Sequence, residues 1–274
     1  MTDLKSTMTT QKMNFQTFEK PLGGWAQKMK PFIESKEMWD LYQKIKADAK
    51  TDMIVPRSTE TFRAFATCAP HEVKVIFFLQ DPYPRLYKNG TPQACGIAMD
   101  CRNSPDGKIQ PSLDLWYDAI DRYLEKNWVT MKGYERETYP YKCERSPNLD
   151  YLHHQGVMLL NTDLTCKMGK TSSHEGYWKE FYKYLLTEAM YTNTGTIYVL
   201  CGKTSHSMEQ FINPLGNYIF KLEHPMAAGH RGDNIWRDED IFAKINKILE
   251  DNNGKGARIW WDKKDWDFYS EPPF

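Results

Sequence analysis

The hydrophobic pattern of the chain contains four short runs that are apolar at nearly every position. These runs are Val73–Leu79, Val157–Asn161, Thr196–Leu200 and Tyr218–Leu222. A short continuous apolar run is typical of a parallel strand that other elements cover on both faces. The four runs are spread over the chain, and segments with a different periodicity lie between them. We therefore predict four strands that form one central sheet.

Helical periodicity marks several segments before and between these runs. Apolar residues that recur three and four positions apart fall on one face of a helix. The stripes are Met38, Leu41, Tyr42 and Ile45; Leu113, Trp116, Tyr117, Ile120 and Leu124; Trp178, Phe181 and Leu185; and Ile241, Ile245 and Ile248. Ser58 or Thr59 can cap a further short helix that carries Phe62 and Phe65. The alternation predicts an α/β fold, a single-domain αβα sandwich with a central four-stranded, mainly parallel sheet.

Composition divides the chain into one large domain and two ends of different character. Residues 1–20 are polar and unpatterned, which predicts a flexible N-terminal tail. Residues 21–250 form the predicted α/β domain, and 128–149 is a polar, aromatic and irregular stretch that we interpret as a surface insertion. Residues 251–274 end in an aromatic segment, and we expect this C-terminal tail to pack on the domain.

The charge balance and the hydropathy exclude several classes of function. The 274 residues carry 36 basic and 36 acidic side chains, so the formal net charge is zero. No global basic field attracts a polyanion, although a local cluster of cations can still hold phosphates. No apolar run is long enough to span a bilayer, and the first residues lack the apolar centre of a signal peptide. We therefore expect a cytoplasmic protein that does not bind membranes.

The six cysteines are scattered along the chain and include no Cys-x-x-Cys pair. In a reducing compartment, such cysteines are typically small buried apolar residues. A zinc or iron–sulfur site needs a paired spacing that is absent here. We therefore predict neither a metal nor another cofactor.

Polar residues stand at the end of each of the four predicted strands. Gln80-Asp81-Pro82-Tyr83 follows the first strand, Asn161 ends the second, Gly202-Lys203-Thr204-Ser205 follows the third, and His224-Pro225 follows the fourth. Taken singly, an Asp-Pro pair or a terminal asparagine is an ordinary turn residue, and most histidines are not catalytic. Open parallel sheets, however, bind their ligands outside the carboxyl ends of the strands. We therefore expect these residues to form one site.

In this order and spacing, the residues resemble the uracil-DNA glycosylases of the family-one type. The resemblance covers roughly residues 24–250. Further matching motifs are Ile54-Val55-Pro56 with Phe62, Gln93–Ala98, Pro111-Ser112-Leu113, Ser173-His174 with Trp178, and Arg231-Gly232. Each motif is weak alone, whereas the ordered set is specific. The resemblance implies a monofunctional DNA glycosylase that flips a base out of DNA and hydrolyses its N-glycosidic bond.

The resemblance also implies a role for each residue around the base. Asp81 positions the attacking water and stabilises the positive charge that grows on the sugar. His224 donates a hydrogen bond to O2 of the departing anionic base and so stabilises it. The imidazole does this in its neutral or its charged form. Asn161 reads the Watson–Crick edge of the flipped base, and Gln80 contacts it near O2. Tyr83 presses against C5 and excludes the methyl group of thymine.

A second group of residues is implied to hold the DNA backbone and to support the loops of the site. The partner is DNA that contains the target base, and the implied oligomeric state is a monomer. The implied backbone and loop residues are Gln110, Pro111, Ser112, Ser173, His174, Gly202, Lys203, Ala228, His230 and Arg231. Of these, Lys203, His230 and Arg231 supply cationic donors for phosphates.

Several positions depart from the pattern of this family. Met99 stands in place of the phenylalanine that stacks on the base, and Ala228 aligns with the leucine that fills the hole left by the flipped base. Met226 replaces the serine behind the catalytic histidine. Thr162-Asp163 replaces two small or apolar residues, and Pro84 replaces a histidine before a longer loop, Arg85–Pro92.

These departures leave three hypotheses open. The first is a divergent enzyme that excises uracil, which the presence of Tyr83 and Asn161 favours. The second is a glycosylase of the same fold that acts on a modified pyrimidine, such as 5-hydroxymethylcytosine or its glucosylated form in phage DNA. The longer loop and Met99 favour that hypothesis. The third is a catalytically silent relative that binds DNA or another partner. The presence of both Asp81 and His224 speaks against it.

Overall fold

The computed structural model of the protein describes residues 12–127, 142–231, 235–236, 239–254 and 256–270. Most of the predicted insertion at 128–149 therefore lies outside the described residues, as do residues 1–11. None of the helices within the described ranges is both long and apolar enough to cross a membrane.

A parallel sheet of four strands forms the centre of the molecule. Its strands are β2 (Val75–Leu79), β3 (Val157–Asn161), β5 (Ile197–Cys201) and β6 (Tyr218–Leu222). The order across the sheet is β3-β2-β5-β6, and all three neighbouring pairs are parallel. A small antiparallel pair of strands, β1 (Ile54–Val55) and β4 (Cys166–Lys167), lies outside this sheet. The four predicted strands are confirmed to within two residues at each end.

Helices cover both faces of the central sheet. Their bounds are α1 Gln16–Leu22, α2 Ala26–Ile33, α3 Lys36–Asp48, α4 Arg63–Ala66, α5 Pro111–Asn127, α6 Asp150–His153, α7 Lys179–Tyr184, α8 Lys203–His206, α9 Pro225–His230, α10 Ile241–Asn253 and α11 Lys263–Ser270. Short non-α turns follow at Gly23–Trp25, Leu185–Ala189 and Ser207–Phe211.

Two neighbouring residues of β2 show the layering directly. Successive side chains of a strand point to opposite faces of the sheet. The ring of Phe77 packs at 4.7 Å from Trp116 of α5, whereas the ring of Phe78 packs at 5.3 Å from Tyr182 of α7. Every residue of β2, β3 and β5 is buried. The predicted αβα sandwich is therefore confirmed.

The structure differs from the sequence pattern at three elements. Helix α1 begins at Gln16, and Phe15 and Phe18 pack in or against the core, so the last residues of the predicted flexible tail 1–20 are held to the domain. Tyr42 is 38% exposed, since the buried face of α3 is narrower than the predicted stripe. The short helix α4 begins only at Arg63, and neither of the two predicted capping side chains caps it.

The C-terminal segment contributes to the core. Trp261 is 1% exposed, and its ring lies 4.7 Å from that of Phe242 in α10. The backbone carbonyl of Trp261 accepts a hydrogen bond from the hydroxyl of Tyr151 at 2.9 Å. All six cysteines are free and buried, which confirms their prediction as small apolar core residues.

Candidate active site

The carboxyl ends of the four parallel strands bring the predicted polar residues to one edge of the sheet. Asn161 is the last residue of β3 and pairs with Leu79, which directly precedes Gln80 and Asp81. Glu223 and His224 follow β6, which is two strands away from β2. Neighbouring strands are about 4.8 Å apart, so the backbones of β2 and β6 are separated by about 10 Å. Asp81 and His224 therefore follow strand ends that are two strand spacings apart on the same edge of the sheet.

A turn at Ser172 holds the carboxylate of Asp81. The backbone N–H of Ser172 donates to Asp81 Oδ2 at 2.8 Å, and its hydroxyl lies 3.4 Å from the same oxygen. The side-chain amide of Gln80 donates to the Ser172 hydroxyl at 3.0 Å. Sequence reasoning missed Ser172, because a backbone N–H leaves no signal in the residue pattern except its position beside Ser173-His174.

Burial and hydrogen bonding act in opposite directions on Asp81. Burial raises the pKa of this carboxyl above its ordinary value, and the negative charge of Glu175 adds to the rise. The two hydrogen bonds from Ser172 lower the pKa, since they stabilise the ionised form. Asp81 is thus a partly desolvated carboxylate whose orientation is fixed and whose charge interacts strongly with its surroundings.

A second carboxylate, Asp163, lies behind Asp81. Asp163 is 2% exposed, and burial raises its pKa to about 7, with further contributions from the charges of Asp81 and Glu175. Its two oxygens accept long hydrogen bonds, both of 3.4 Å, from the backbone N–H groups of Gly176 and Trp178. The sequence showed Asp163 only as a departure from the family pattern and gave it no role.

The imidazole of His224 is held in one tautomer by the backbone. Its Nδ1 lies 3.2 Å from the backbone N–H of Met226, which can only donate, so Nδ1 accepts. Burial lowers the pKa of His224 below its ordinary value, which favours the neutral ring. A neutral ring that accepts at Nδ1 carries its proton on Nε2. His224 therefore presents a hydrogen-bond donor at Nε2.

The turn after β5 packs directly on this histidine. Gly202 has a φ of +97°, and a Cβ atom at this position would lie 3.0 Å from the Cβ of His224. A glycine is required here for two reasons, because the backbone conformation disfavours other residues and because there is little space for a side chain.

The ring of Tyr83 is fixed by two hydrogen bonds of its hydroxyl. The hydroxyl donates to the carbonyl of Met99 at 3.1 Å and lies 2.7 Å from the hydroxyl of Ser112. Ser112 is 5% exposed, so the structure places its side chain beneath the surface, where it positions Tyr83. Its predicted contact with the DNA backbone stays a prediction.

Asn161 is buried with its carboxamide available for binding. Its backbone carbonyl accepts a hydrogen bond from the hydroxyl of Tyr182. Within the part of the chain that the structure describes, no hydrogen bond to the carboxamide is found. A buried amide carries two donors and one acceptor, so a fixed Asn161 can read a complementary edge of a ligand.

Backbone conformation identifies the same region independently. Across the described ranges, three residues other than glycine have a positive φ, namely Met99 at 63°, Ser172 at 55° and Trp236 at 50°. The carbonyl of Met99 accepts a hydrogen bond from Tyr83, and the backbone N–H of Ser172 donates one to Asp81. The indole N–H of Trp236 donates to the carbonyl of Glu223 at 2.8 Å, beside His224. Such conformations cost about 1 to 3 kcal/mol each and cluster at functional sites.

Ser173 and His174 support the turn that carries Ser172. The hydroxyl of Ser173 accepts from the backbone N–H of Lys167 and donates to the carbonyl of Lys170, both at 2.8 Å. His174 is completely buried, lies 2.9 Å from the hydroxyl of Thr165 and stacks on the ring of Tyr177. Within the described residues, neither side chain forms a hydrogen bond or an ion pair with Asp81, so both act on the site through the loop.

The remaining predicted residues surround the site on separate elements. Gln110 precedes α5, and its carbonyl accepts from the N–H of Leu113 at 3.0 Å, while Pro111 is the first residue of that helix. Lys203 is exposed and begins α8. Arg231 forms a two-pronged ion pair with Glu223, at 2.8 and 2.5 Å. Ala228 and His230 belong to α9.

Comparison with known proteins finds relatives that share most of the length of this chain. No protein-family model matches the sequence. The chain is 27% identical to the uracil-DNA glycosylase of Mycoplasmopsis pulmonis over 242 residues, 86% of this chain and 97% of that protein. It is 26% identical to the uracil-DNA glycosylase of Bacillus anthracis over 237 residues, 86% and 94% of the two chains. The crystal structure of mimivirus uracil-DNA glycosylase is similar with a TM-score of 0.74 at 23% identity, covering 92% of this chain and 90% of that one.

The chain is similar to uracil-DNA glycosylases over most of its length, and it shares the fold of the mimivirus enzyme. Two of its departures from the pattern of these enzymes are compensated by backbone groups. At Met226, where a serine is usual, the backbone N–H supplies the hydrogen bond to His224. In the longer loop after Tyr83, three backbone hydrogen bonds give the segment a defined fold.

Proposed function

We propose that this protein is a monofunctional DNA glycosylase that flips uracil out of DNA and hydrolyses its N-glycosidic bond, leaving an abasic site. The observation that carries this proposal is the convergence of Asp81, His224, Asn161 and Tyr83 at one edge of the sheet. The named relatives support the same activity. We also propose that the protein acts as a monomer, as the resemblance implies.

Asp81 acts on the sugar. As the bond between C1′ and N1 breaks, positive charge develops on the sugar ring, and a desolvated carboxylate nearby stabilises it. The oxygen of a water molecule, oriented by the same carboxylate, then bonds to C1′ and releases a proton. Ser172 fixes the carboxylate in position, so little reorganisation is needed during the reaction.

His224 acts on the leaving base. The electron pair of the broken bond leaves with uracil, and the resulting negative charge is shared with its O2. The Nε2–H of the neutral imidazole donates to that oxygen, and the interaction strengthens as the charge develops. The hydrogen bond from Met226 keeps the proton on Nε2.

Asn161 and Tyr83 select the base. The carboxamide oxygen of Asn161 accepts from N3–H of uracil and its amino group donates to O4, an arrangement that cytosine does not match. Tyr83 cannot move away from C5 without breaking its hydrogen bonds to Met99 and Ser112, which are worth about 1 kcal/mol each. This fixed ring disfavours thymine and, more strongly, pyrimidines with a larger group at C5.

We also propose that the protein acts in the cytoplasm. Its six cysteines are free thiols, which is typical of proteins from a reducing compartment.

The experiment is base release from a set of duplexes. Each duplex carries one uracil, thymine, cytosine, 5-hydroxymethylcytosine or glucosylated 5-hydroxymethylcytosine, and alkali cleaves the strand wherever a base has been lost. We expect cleavage at uracil alone. Cleavage at a modified cytosine alone would establish the second hypothesis, and binding without release of any base would establish the third.

A further inference from the structure

The segment between the candidate active site and Gln93 folds as a hairpin. The backbone N–H of Tyr87 donates to the carbonyl of Thr91 at 2.8 Å, and that of Gln93 donates to the carbonyl of Arg85 at 2.9 Å. Leu86 and Pro92 form an antiparallel bridge between these two bonds. We refer to residues 85–93 as the 85–93 hairpin. Its internal hydrogen bonds make it a defined element.

One side of the 85–93 hairpin is fixed to the body of the protein. Leu86 packs on a small cluster formed by Val55, Ala94 and Cys166. The side chain of Asn103 donates to the carbonyl of Pro92 at 3.1 Å. Just before the hairpin, the carbonyl of Pro84 accepts from the N–H of Gly169 at 2.7 Å. These attachments hold the hairpin at a set position beside the site.

The 85–93 hairpin carries positive charge that no acid neutralises. Its sequence, RLYKNGTPQ, contains Arg85 and Lys88 and no acidic residue. Arg85 and Lys88 are both exposed, and within the described ranges neither forms an ion pair. By contrast, neighbouring lysines are paired, Lys108 with Asp106 and Lys170 with Asp52. The hairpin is therefore a local cationic element in a chain of zero net charge.

The position of the hairpin brings this charge to the side of the site where DNA is expected. Arg85 comes two residues after Tyr83, whose ring is fixed by Ser112 at the start of α5. The buried hydroxyl of Tyr87 lies near the side chains of Gln110 and Ser104, although it forms no hydrogen bond within the described residues. The hairpin therefore lies against Gln110, a residue implied to hold the DNA backbone.

We propose that the 85–93 hairpin is an additional phosphate-binding arm, in which Arg85 and Lys88 contact the backbone of the DNA strand next to the flipped nucleotide. This inference rests on the proposed function, since a nucleotide in the site brings its neighbouring phosphates across this rim. The hairpin does not touch the reacting atoms, so it contributes to DNA binding and leaves the chemical step unchanged.

The test measures DNA affinity against salt concentration. The probe is a duplex with 2′-fluoro-2′-deoxyuridine, whose fluorine slows loss of the base, and the variant is Arg85→Gln/Lys88→Gln. Each cation that neutralises one phosphate contributes about 0.9 to the slope of log K against log salt, so the variant should lose about 2 from the slope between about 50 and 200 mM salt. Arg85→Lys/Lys88→Arg should retain the wild-type slope.

The matched control is Lys126→Gln/Lys264→Gln, which removes two other exposed cations. Lys126 lies near the far end of α5, a helix of 17 residues that begins at the site and is about 25 Å long. Lys264 lies four residues after Trp260. The carbonyl of Trp260 accepts a hydrogen bond from the side chain of Gln155, which lies just before the amino end of β3. These positions are remote from the active edge, so the control should leave the slope unchanged.

Single-turnover uracil release at saturating enzyme tests the binding role of the 85–93 hairpin separately from the proposed glycosylase activity. We expect the Arg85→Gln/Lys88→Gln variant to release uracil at a wild-type rate under these conditions. An unchanged salt slope in a variant that still releases uracil would overturn the arm alone. Absence of uracil release from the wild-type protein would overturn the proposed function itself.

Discussion

At the scale of single residues, two carboxylates in one loop region have very different environments. Asp81 receives short hydrogen bonds from Ser172, whereas Asp163 receives only long ones from Gly176 and Trp178. Ionisation is therefore more costly for Asp163 than for Asp81, and burial raises the pKa of Asp163 to about 7. A raised carboxyl pKa means that the folded state loses stability as the pH rises and the group ionises.

The variant Asp163→Asn tests this cost. The unfolded chain ionises Asp163 near 3.8 and the folded protein near 7, so the wild-type protein loses stability as the pH rises between these values. Asparagine keeps a hydrogen-bond acceptor without the charge. We expect the stability of Asp163→Asn relative to the wild-type protein to rise by about 3 kcal/mol between pH 5 and pH 8 in urea unfolding, because about 2 pH units of the ionisation window lie in this range. Asp251→Asn, on the exposed face of α10, is the control, and an equal effect of Asp163→Asn at both pH values would contradict the prediction.

The sequence predicted candidate residues for the site but not the contacts that position them. Asp81, His224, Asn161 and Tyr83 were predicted because they stand at strand ends in a recognisable order. Ser172 was missed because it acts mainly through a backbone N–H in a turn with positive φ. Such a contact depends on the path of the chain, which residue types alone do not specify.

At the scale of elements, the turn from β5 into α8 controls the position of the histidine on the next strand. Gly202 begins this turn with a φ of +97°, and its N–H donates to the carbonyl of Leu222 at 2.8 Å. Leu222 ends β6, two residues before His224. The backbone of one strand end therefore limits where the side chain of the other can lie.

The variant Gly202→Ala should displace His224. Its new Cβ atom would lie 3.0 Å from the Cβ of His224, and a shift of about 1 Å in a catalytic group can cost about 100-fold in rate. We expect single-turnover uracil release to fall by at least about tenfold. Gly195→Ala is the matched control, because Gly195 also has a positive φ, +77°, but has open space around it. Equal rates for the two variants would show that contact with His224 does not matter.

Long elements were predicted accurately and short ones were not. The four strands and the stripe of α5 follow from apolar runs and helical spacing, because burial alone determines them. The two-residue strands β1 and β4, by contrast, have no periodicity to detect. The sequence indicated the 85–93 hairpin only as a longer loop. Backbone hydrogen bonds and the packing of Leu86 define the hairpin, and neither can be read from residue types.

At the scale of the whole molecule, parallel topology is what assembles the site. The strands that contribute Asp81, Asn161, Gly202 and His224 are separated by long connections in the chain but are neighbours in the sheet. The buried strands β2, β3 and β5 fix the positions of their ends, and the partly buried β6 is held by its pairing with β5. Helices on both faces, together with Trp261 from the C-terminal segment, complete the packing that supports this edge.

The most direct test of the account is the single-turnover rate of uracil release by Asp81→Asn. The substitution keeps the size of the side chain and removes the charge that stabilises the sugar cation. We predict a rate at least about 100-fold below that of the wild-type protein, with affinity for the 2′-fluoro duplex nearly unchanged. Asp251→Asn should retain the wild-type rate. A rate for Asp81→Asn close to that of the wild-type protein would contradict the central claim that Asp81 acts on the nucleotide held at this edge of the sheet.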